Sequence, residues 1–93
     1  MQDRLRSERS CVLAKRGLVA TSVPIATAAG VEMLQRGGNA VDAAIAAAAV
    51  LAVVEPMQCG LGGVAFALLG SARDGWLAGL GGGGRAPAAA TLE

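Results

Sequence analysis

A chain of 93 residues can bury at most one small hydrophobic core, so a two-domain protein is excluded. The residues are 54% hydrophobic, yet they include one Phe, one Trp and no Tyr, and 14 are glycines that lose much backbone freedom on folding. The net charge of +1 gives no global argument for a nucleic-acid or acidic partner, and the absence of histidine excludes a Ser-His or Cys-His catalytic pair and a His-containing zinc site within the chain.

Residues 1–16 form a basic leader. Its charged side chains are five cations and two carboxylates: Arg4, Arg6, Arg9, Lys15, Arg16, Asp3 and Glu8. No aromatic residue accompanies them to stack on bases, so we expect a disordered, solvated tail that binds no nucleic acid. The apolar run 11–14 is too short for a secretory signal, which favours a cytoplasmic location.

A short strand and a helix start are predicted next. Residues 17–22 carry β-formers between Gly17 and Pro24, as a short strand does. Ser22 is placed to accept a hydrogen bond from an amide of the first helical turn, and proline is tolerated in that turn. We therefore predict a helix beginning near Pro24.

The apolar residues of this first helix recur every three positions. The expected buried stripe is Ile25, Ala28, Val31 and Leu34, with Ala29 and Met33 beside it and Glu32, Gln35 and Arg36 in water. Gly37 and Gly38 should end the helix, because glycine readily adopts the left-handed conformation found at helix ends.

A second helix is predicted from Asn39 to Val54. Asn39 and Asp42 have the spacing of a capping box, so the carboxylate is interpreted as a helix-start signal and not as a catalytic group. The following residues are apolar on every face, which is typical of a helix buried all round. A length of roughly 24 Å is too short to span a membrane.

The last third of the chain reads as a hairpin between two glycine-rich segments. A turn at residues 60–63 precedes a buried strand over 64–69, a hairpin turn over 71–75 and a returning strand over 76–80. Residues 81–84 are four glycines, and residues 85–91 leave as an extended segment. No terminating signal follows.

Several short motifs in this region have ordinary interpretations. Residues 60–65 fit the GxGxxA spacing of a dinucleotide turn, but they do not follow a strand directly, and Asp74 lies too close to be the acidic partner. Cys11 and Cys59 form no CxxC pair, and Cys59 is interpreted as a small packing residue. Arg85, at a strand end among glycines, could form a bidentate pair with a carboxylate.

The order of these segments resembles the beginning of the γ-glutamyltransferase (γ-glutamyltranspeptidase) family. The similar stretch runs from residue 17 to about residue 91 and contains GLVATSVPIATAAGVEMLQRGGNAVDAAIAAAAVLAVVEP, then GLGGVAFALL, then GRAPAAAT. The resemblance implies an N-terminal nucleophile (Ntn) hydrolase, in which two central sheets pack between helical layers (αββα). The predicted fold class is therefore α+β, with two helices and a β-hairpin from the N-terminal part of the large subunit in residues 17–93.

The resemblance also implies an enzyme that cleaves itself and attacks γ-glutamyl amides such as glutathione with a newly exposed threonine. That threonine would lie beyond residue 93, so we expect no catalytic residue in this chain and no activity from it alone. A threonine whose own α-amino group acts as base needs no histidine. The implied partners are a small-molecule γ-glutamyl substrate and the remainder of the enzyme with its small subunit, with no cofactor and no metal. Family members are often periplasmic or secreted.

Arg85 departs from the family pattern. In the transpeptidases an arginine pairs with the substrate α-carboxylate. When the sequences are aligned without a gap at Ala86 and Pro87, the position of that arginine is Gly83 in this chain. Either a short gap gives Arg85 that role in substrate binding, or the chain is similar to the acylase relatives of the family. A non-catalytic alanine-rich interaction module is the alternative from another class. On size alone, we expect the isolated chain to be molten or aggregated.

Overall fold

The computed structural model describes residues 9–92. In chain order these contain helix α1 (Pro24–Gln35), helix α2 (Ala40–Val54), strand β1 (Ala65–Ser71) and strand β2 (Trp76–Gly82). Two helices followed by a hairpin are the predicted α+β order, and this prediction is confirmed. The expected disorder of the leader lies partly outside the described residues, while residues 9–16 are exposed and form neither helix nor strand.

Helix α1 begins at Pro24 as expected, but Ser22 does not cap it. The N-cap residue is Val23, which has no side-chain oxygen to offer, and the amides of Ala26 and Thr27 bond to the Val23 carbonyl at 3.1 and 3.3 Å. The Ser22 hydroxyl lies one position too early and donates to Glu55 instead. The predicted role of Ser22 as a cap is therefore wrong.

The face that α1 buries also differs from the predicted stripe. Ala26 and Gly30 are buried, whereas Ile25 and Ala28 are exposed. The helices approach most easily where side chains are smallest, so the small residues of α1 take the contact from the larger ones. Glu32, Gln35 and Arg36 are exposed, as predicted.

Residues 17–22 are not a strand. Among residues 9–92 the sheet contains only β1 and β2, and neither pairs with this segment. The segment therefore has no neighbouring strand with which its backbone groups could form a ladder. Val19 lies instead against α1, so close to Gly30 that a Cβ placed there would be 2.8 Å from Val19 Cγ1. The segment therefore serves as packing for the helix pair.

The four residues between the helices contain a stop signal followed at once by a start signal. Gly37 has φ +90°, and the amides of Gly37 and Gly38 bond to the carbonyls of Leu34 and Met33, which is a Schellman motif. Asn39 Oδ1 then accepts from the Asp42 amide at 3.0 Å, and Asp42 Oδ2 accepts from the Asn39 amide at 2.9 Å. The predicted capping box and helix end are confirmed.

The core of the helix pair is small. Its buried apolar residues are Ala26, Ala43 and Ala47, and no large side chain among the described residues is fully buried. Ile45 and Val53 on α2 are 64% and 79% exposed. The prediction that α2 is buried on every face is therefore wrong within the described chain, where this helix packs mainly against α1. Neither helix is long and apolar enough to cross a membrane.

The hairpin is apolar on both faces. In its register Phe66 lies opposite Gly81, Leu68 opposite Gly79, and Leu77 opposite Gly70. Leu69, Trp76 and Leu80 point to the other face, since side chains alternate along a strand. Phe66 and Leu68 are each 77% exposed, so the expected burial of β1 is wrong within the described residues. A sheet with two apolar faces is typical of an inner layer.

Candidate functional site

Two glycine-rich segments leave the hairpin at its open end. Ala65, the first residue of β1, pairs with Gly82, the last of β2, so the residues before β1 and after β2 leave the sheet at the same end. The segment before β1 includes a turn closed by a 3.0 Å hydrogen bond from the Gly63 amide to the Gly60 carbonyl. We call these two segments, residues 60–64 and 83–87, the open end.

Gly63 in the open end and Gly82 next to it lie close to backbone carbonyl groups. A Cβ at Gly82 would lie 2.7 Å from the Ala65 carbonyl oxygen, and one at Gly63 would lie 3.1 Å from the Gly60 carbonyl oxygen. By contrast, a Cβ at Gly83 or Gly84 would meet nothing within 4 Å. Tight backbone packing therefore holds the ladder and the turn, while the residues just before Arg85 have open space around them.

Arg85 is the charged residue of the open end. It is exposed, lies in a segment without regular structure three residues after β2, and forms no ion pair or hydrogen bond with the described chain. Arg36 in contrast pairs with Glu32 one helical turn away. A guanidinium has five donors in a planar fork, so Arg85 retains its full capacity to bind a carboxylate.

Other candidate chemistry near the open end is weaker. Residues 60–63 lead into a strand and not into a helix, which excludes the dinucleotide-turn interpretation. Cys59 is half-buried, and its Sγ lies 3.9 Å from the Glu55 carbonyl oxygen. Within residues 9–92 no group of three or more His, Cys, Asp or Glu side chains is arranged to hold a metal ion. Asp42 is engaged in its capping box.

Sequence reasoning did not note that the two segments leave the hairpin at the same end, although an antiparallel hairpin implies it. It also did not find the contact between Ser22 and Glu55, whose Oγ and Oε2 atoms are 2.7 Å apart. No local signal could have revealed this contact, because its partners are 33 positions apart in the chain. The position of Arg85 between glycines and proline does identify it as a candidate from the sequence.

Comparison with known protein families gives a match over most of the chain. The family model described as Gamma-glutamyltranspeptidase matches residues 26–93. The matched region holds almost all of α1, the whole of α2 and the hairpin, and the open end with Arg85.

Individual relatives agree with this match. The glutathione hydrolase proenzyme of Escherichia coli (strain K12) is 50% identical over 60 residues, which are 64% of this chain and 10% of the relative. The acylase ACY 1 proenzyme of Pseudomonas sp. (strain V22) is 43% identical over 68 residues, which are 71% of this chain and 12% of the relative. The chain therefore spans about a tenth of the length of these curated relatives.

A solved structure shows the same arrangement of elements. The crystal structure of Helicobacter pylori gamma-glutamyltranspeptidase superimposes with a TM-score of 0.77 at 39% sequence identity. The superposition covers 88% of this chain and 23% of the solved chain. The helix pair and the hairpin thus correspond to one part of a larger fold.

Proposed function

This chain belongs to the gamma-glutamyltranspeptidase family, and we propose that it forms the N-terminal part of the large subunit of an enzyme acting on γ-glutamyl amides. The enzyme would transfer or hydrolyse the γ-glutamyl group of glutathione-like compounds. Its nucleophile would be a threonine outside residues 1–93, exposed when the precursor cleaves itself. The remainder of the enzyme, with its small subunit, is the proposed protein partner.

The observation that carries this proposal is the match in both sequence and fold. The superposition on the Helicobacter pylori enzyme includes 88% of the chain at 39% identity, well above the level at which only the fold is shared. Exposed apolar faces on the hairpin and on α2 further support a larger assembly, because apolar patches of this kind usually mark contact surfaces.

The proposed reaction proceeds through an acyl-enzyme. The threonine Oγ forms an ester with the γ-carbonyl carbon, the amide C–N bond breaks, and the leaving amine takes the proton that the α-amino group had accepted from the hydroxyl. Water or the amine of an acceptor then attacks the ester and regenerates the threonine. Arg85 would hold the substrate through its α-carboxylate, in a bidentate pair at the open end.

The test uses the natural polypeptide that contains residues 1–93, expressed beside the 93-residue chain itself. We expect that only the natural polypeptide releases the aniline from a γ-glutamyl anilide, and that it does so only after it has cleaved itself into two chains. A polypeptide that folds and cleaves itself but releases no aniline from this substrate would refute the proposed substrate class.

An acylase activity is the second candidate, and the sequence at the open end favours it. The acylase relative matches 71% of this chain, and Gly83 occupies the ungapped position of the family's carboxylate-binding arginine. A glutaryl anilide keeps the reactive amide but lacks the α-amino and α-carboxylate groups. Preference for this compound over the γ-glutamyl anilide would favour the acylase activity.

A cytoplasmic location is proposed from the leader, and cell fractionation of the tagged natural polypeptide would test it. Inactivity of the 93-residue chain alone is proposed because its charged and hydroxyl side chains include no nucleophile with a recognisable activating partner. The interaction-module alternative would require a natural polypeptide with no hydrolytic activity.

A further inference from the structure

A side-chain contact joins the start of α1 to the end of α2. Ser22 Oγ donates to Glu55 Oε2 at 2.7 Å across 33 positions of sequence. Ser22 lies just before the N-cap residue of α1, and Glu55 is the C-cap residue of α2. A hydrogen bond to a charged acceptor is stronger than one between neutral groups, so the contact can hold the two helix ends together.

Glu55 also anchors the loop that follows α2. Its carbonyl oxygen accepts from the amides of Gln58 and Cys59 at 3.0 and 3.4 Å, and its own amide donates to the Leu51 carbonyl at 2.8 Å. Glu55, which accepts the hydrogen bond from Ser22, is therefore also the residue at which the chain turns out of α2. Fixing the Glu55 side chain restrains the first residues of the loop.

The loop connects Glu55 to the open end. After Cys59 the chain makes the turn at residues 60–63 and enters β1 at Ala65, opposite Gly82. Arg85 is three residues beyond Gly82. Displacement of the loop would thus move the strand residue that pairs with the end of β2.

We infer that Ser22 and Glu55 form a latch that positions loop 56–63 and, through it, the open end of the hairpin. Both are positioning residues and not catalytic ones, because neither lies in the open end. The effect on substrate binding rests on the proposed function, whereas the restraint on the loop does not. The two parts are tested separately.

The restraint is tested by thiol labelling of the natural polypeptide, followed by mass spectrometry of the peptides that contain each cysteine. Cys59 is a half-buried reporter within the loop, and exposed Cys11 is an internal control. Loss of one hydrogen bond in Ser22→Ala should raise the Cys59 labelling rate roughly threefold to tenfold. Ser22→Thr, which keeps the hydroxyl, should restore the original rate, and Cys11 should react equally in all variants.

Ser71→Ala is the matched control. Ser71 Oγ donates to Asp74 Oδ2 at 2.8 Å, so this variant removes another exposed serine–carboxylate hydrogen bond. This bond lies at the turn of the hairpin, at the opposite end from loop 56–63. It should leave Cys59 labelling unchanged. Equal Cys59 labelling in Ser22→Ala and the unsubstituted protein, or an equal rise in Ser71→Ala, would overturn the latch.

The positioning role is tested kinetically with the γ-glutamyl anilide. Ser22→Ala and Glu55→Ala should each raise KM by roughly threefold to tenfold with little change in kcat, and the double variant should resemble either single variant because both remove one interaction. Additive effects, or a fall in kcat at constant KM, would overturn this role. If the unsubstituted polypeptide processes itself but does not turn over the substrate, the proposed function fails, while the labelling result still decides the latch.

Discussion

Gly30 is the position where a single methyl group should do most to disturb the helix pair. A Cβ there would lie 2.8 Å from Val19 Cγ1 and 3.2 Å from the carbonyl oxygen of Ala43. The first distance is well below the roughly 3.5 to 4.0 Å at which nonbonded carbon atoms attract best, and the second is also tighter than an ordinary contact of a Cβ atom. The Ala43 oxygen belongs to the backbone of α2, so it can yield only if the helices move apart. Gly30→Ala therefore sets helix propensity against packing.

The two contributions have opposite signs. Replacing a glycine inside a helix with alanine stabilises the helix by about 1 kcal/mol. Overpacking a contact costs about 1 to 3 kcal/mol, and the upper half of that range applies because one obstacle is backbone. We expect a net loss of about 1 to 2 kcal/mol, which is roughly a 5-fold to 30-fold change in the opening equilibrium of the helix pair.

Native-state hydrogen exchange of the natural polypeptide measures this change at the helices themselves. Peptides from α1 and α2 should exchange faster in Gly30→Ala by the factor given above. The variant Gly84→Ala is the control, because a Cβ at Gly84 has no neighbour within 4 Å. Adding Val19→Ala should recover part of the loss, since it removes one of the two obstacles. Slower exchange in Gly30→Ala than in the unsubstituted protein would refute the close approach.

Three further predictions concern the helix linker, the open end and the chain as a whole. Asn39→Ala removes the N-cap of α2 and should destabilise the start of that helix by about 1 kcal/mol. Gly37→Ala should destabilise the end of α1 by at least as much, because φ is +90° at this position. Hydrogen exchange of the peptides from each helix measures both effects. Arg85→Ala should raise KM for a γ-glutamyl anilide at least tenfold and leave KM for a glutaryl anilide unchanged, because the glutaryl compound has no α-carboxylate. The control Arg73→Ala, at the far hairpin turn, should change neither KM. An equal rise of both KM values in Arg85→Ala would contradict the carboxylate-binding role. The chain 1–93 alone should show a broad thermal transition and bind a hydrophobic dye, because the buried apolar side chains of residues 9–92 are alanines. A sharp two-state melt of a monomer would contradict this expectation.

Features set by neighbouring residues could be predicted from the sequence. The capping box at Asn39 and Asp42 and the helix end at Gly37 were predicted correctly, because their hydrogen bonds join residues within a few positions of each other. The hairpin turn likewise depends on Ser71 and Gly75, whose carbonyl and amide bond at 2.8 Å.

Features that depend on distant partners were missed. Hydrophobicity predicts an apolar stripe through Ile25, whereas the contact with α2 selects the smallest residues, Ala26 and Gly30. Ser22 has the residue type of a cap but finds Glu55 within reach. Within the candidate site the role of Arg85 stays a prediction, and the pairing of Ala65 with Gly82 is a property of strand register that the sequence does not specify.

The linker between the helices has a kinetic consequence. Its stop and start signals, from Gly37 to Asp42, form entirely from contacts within six positions of sequence, so they incur almost no loop-closure entropy. Contacts this local form early, and we expect the corner between α1 and α2 to be nearly complete in the folding transition state, with φ-values well above those of the hairpin edges. The direction of the chain between the two helices would then be set before the apolar faces of the hairpin become buried.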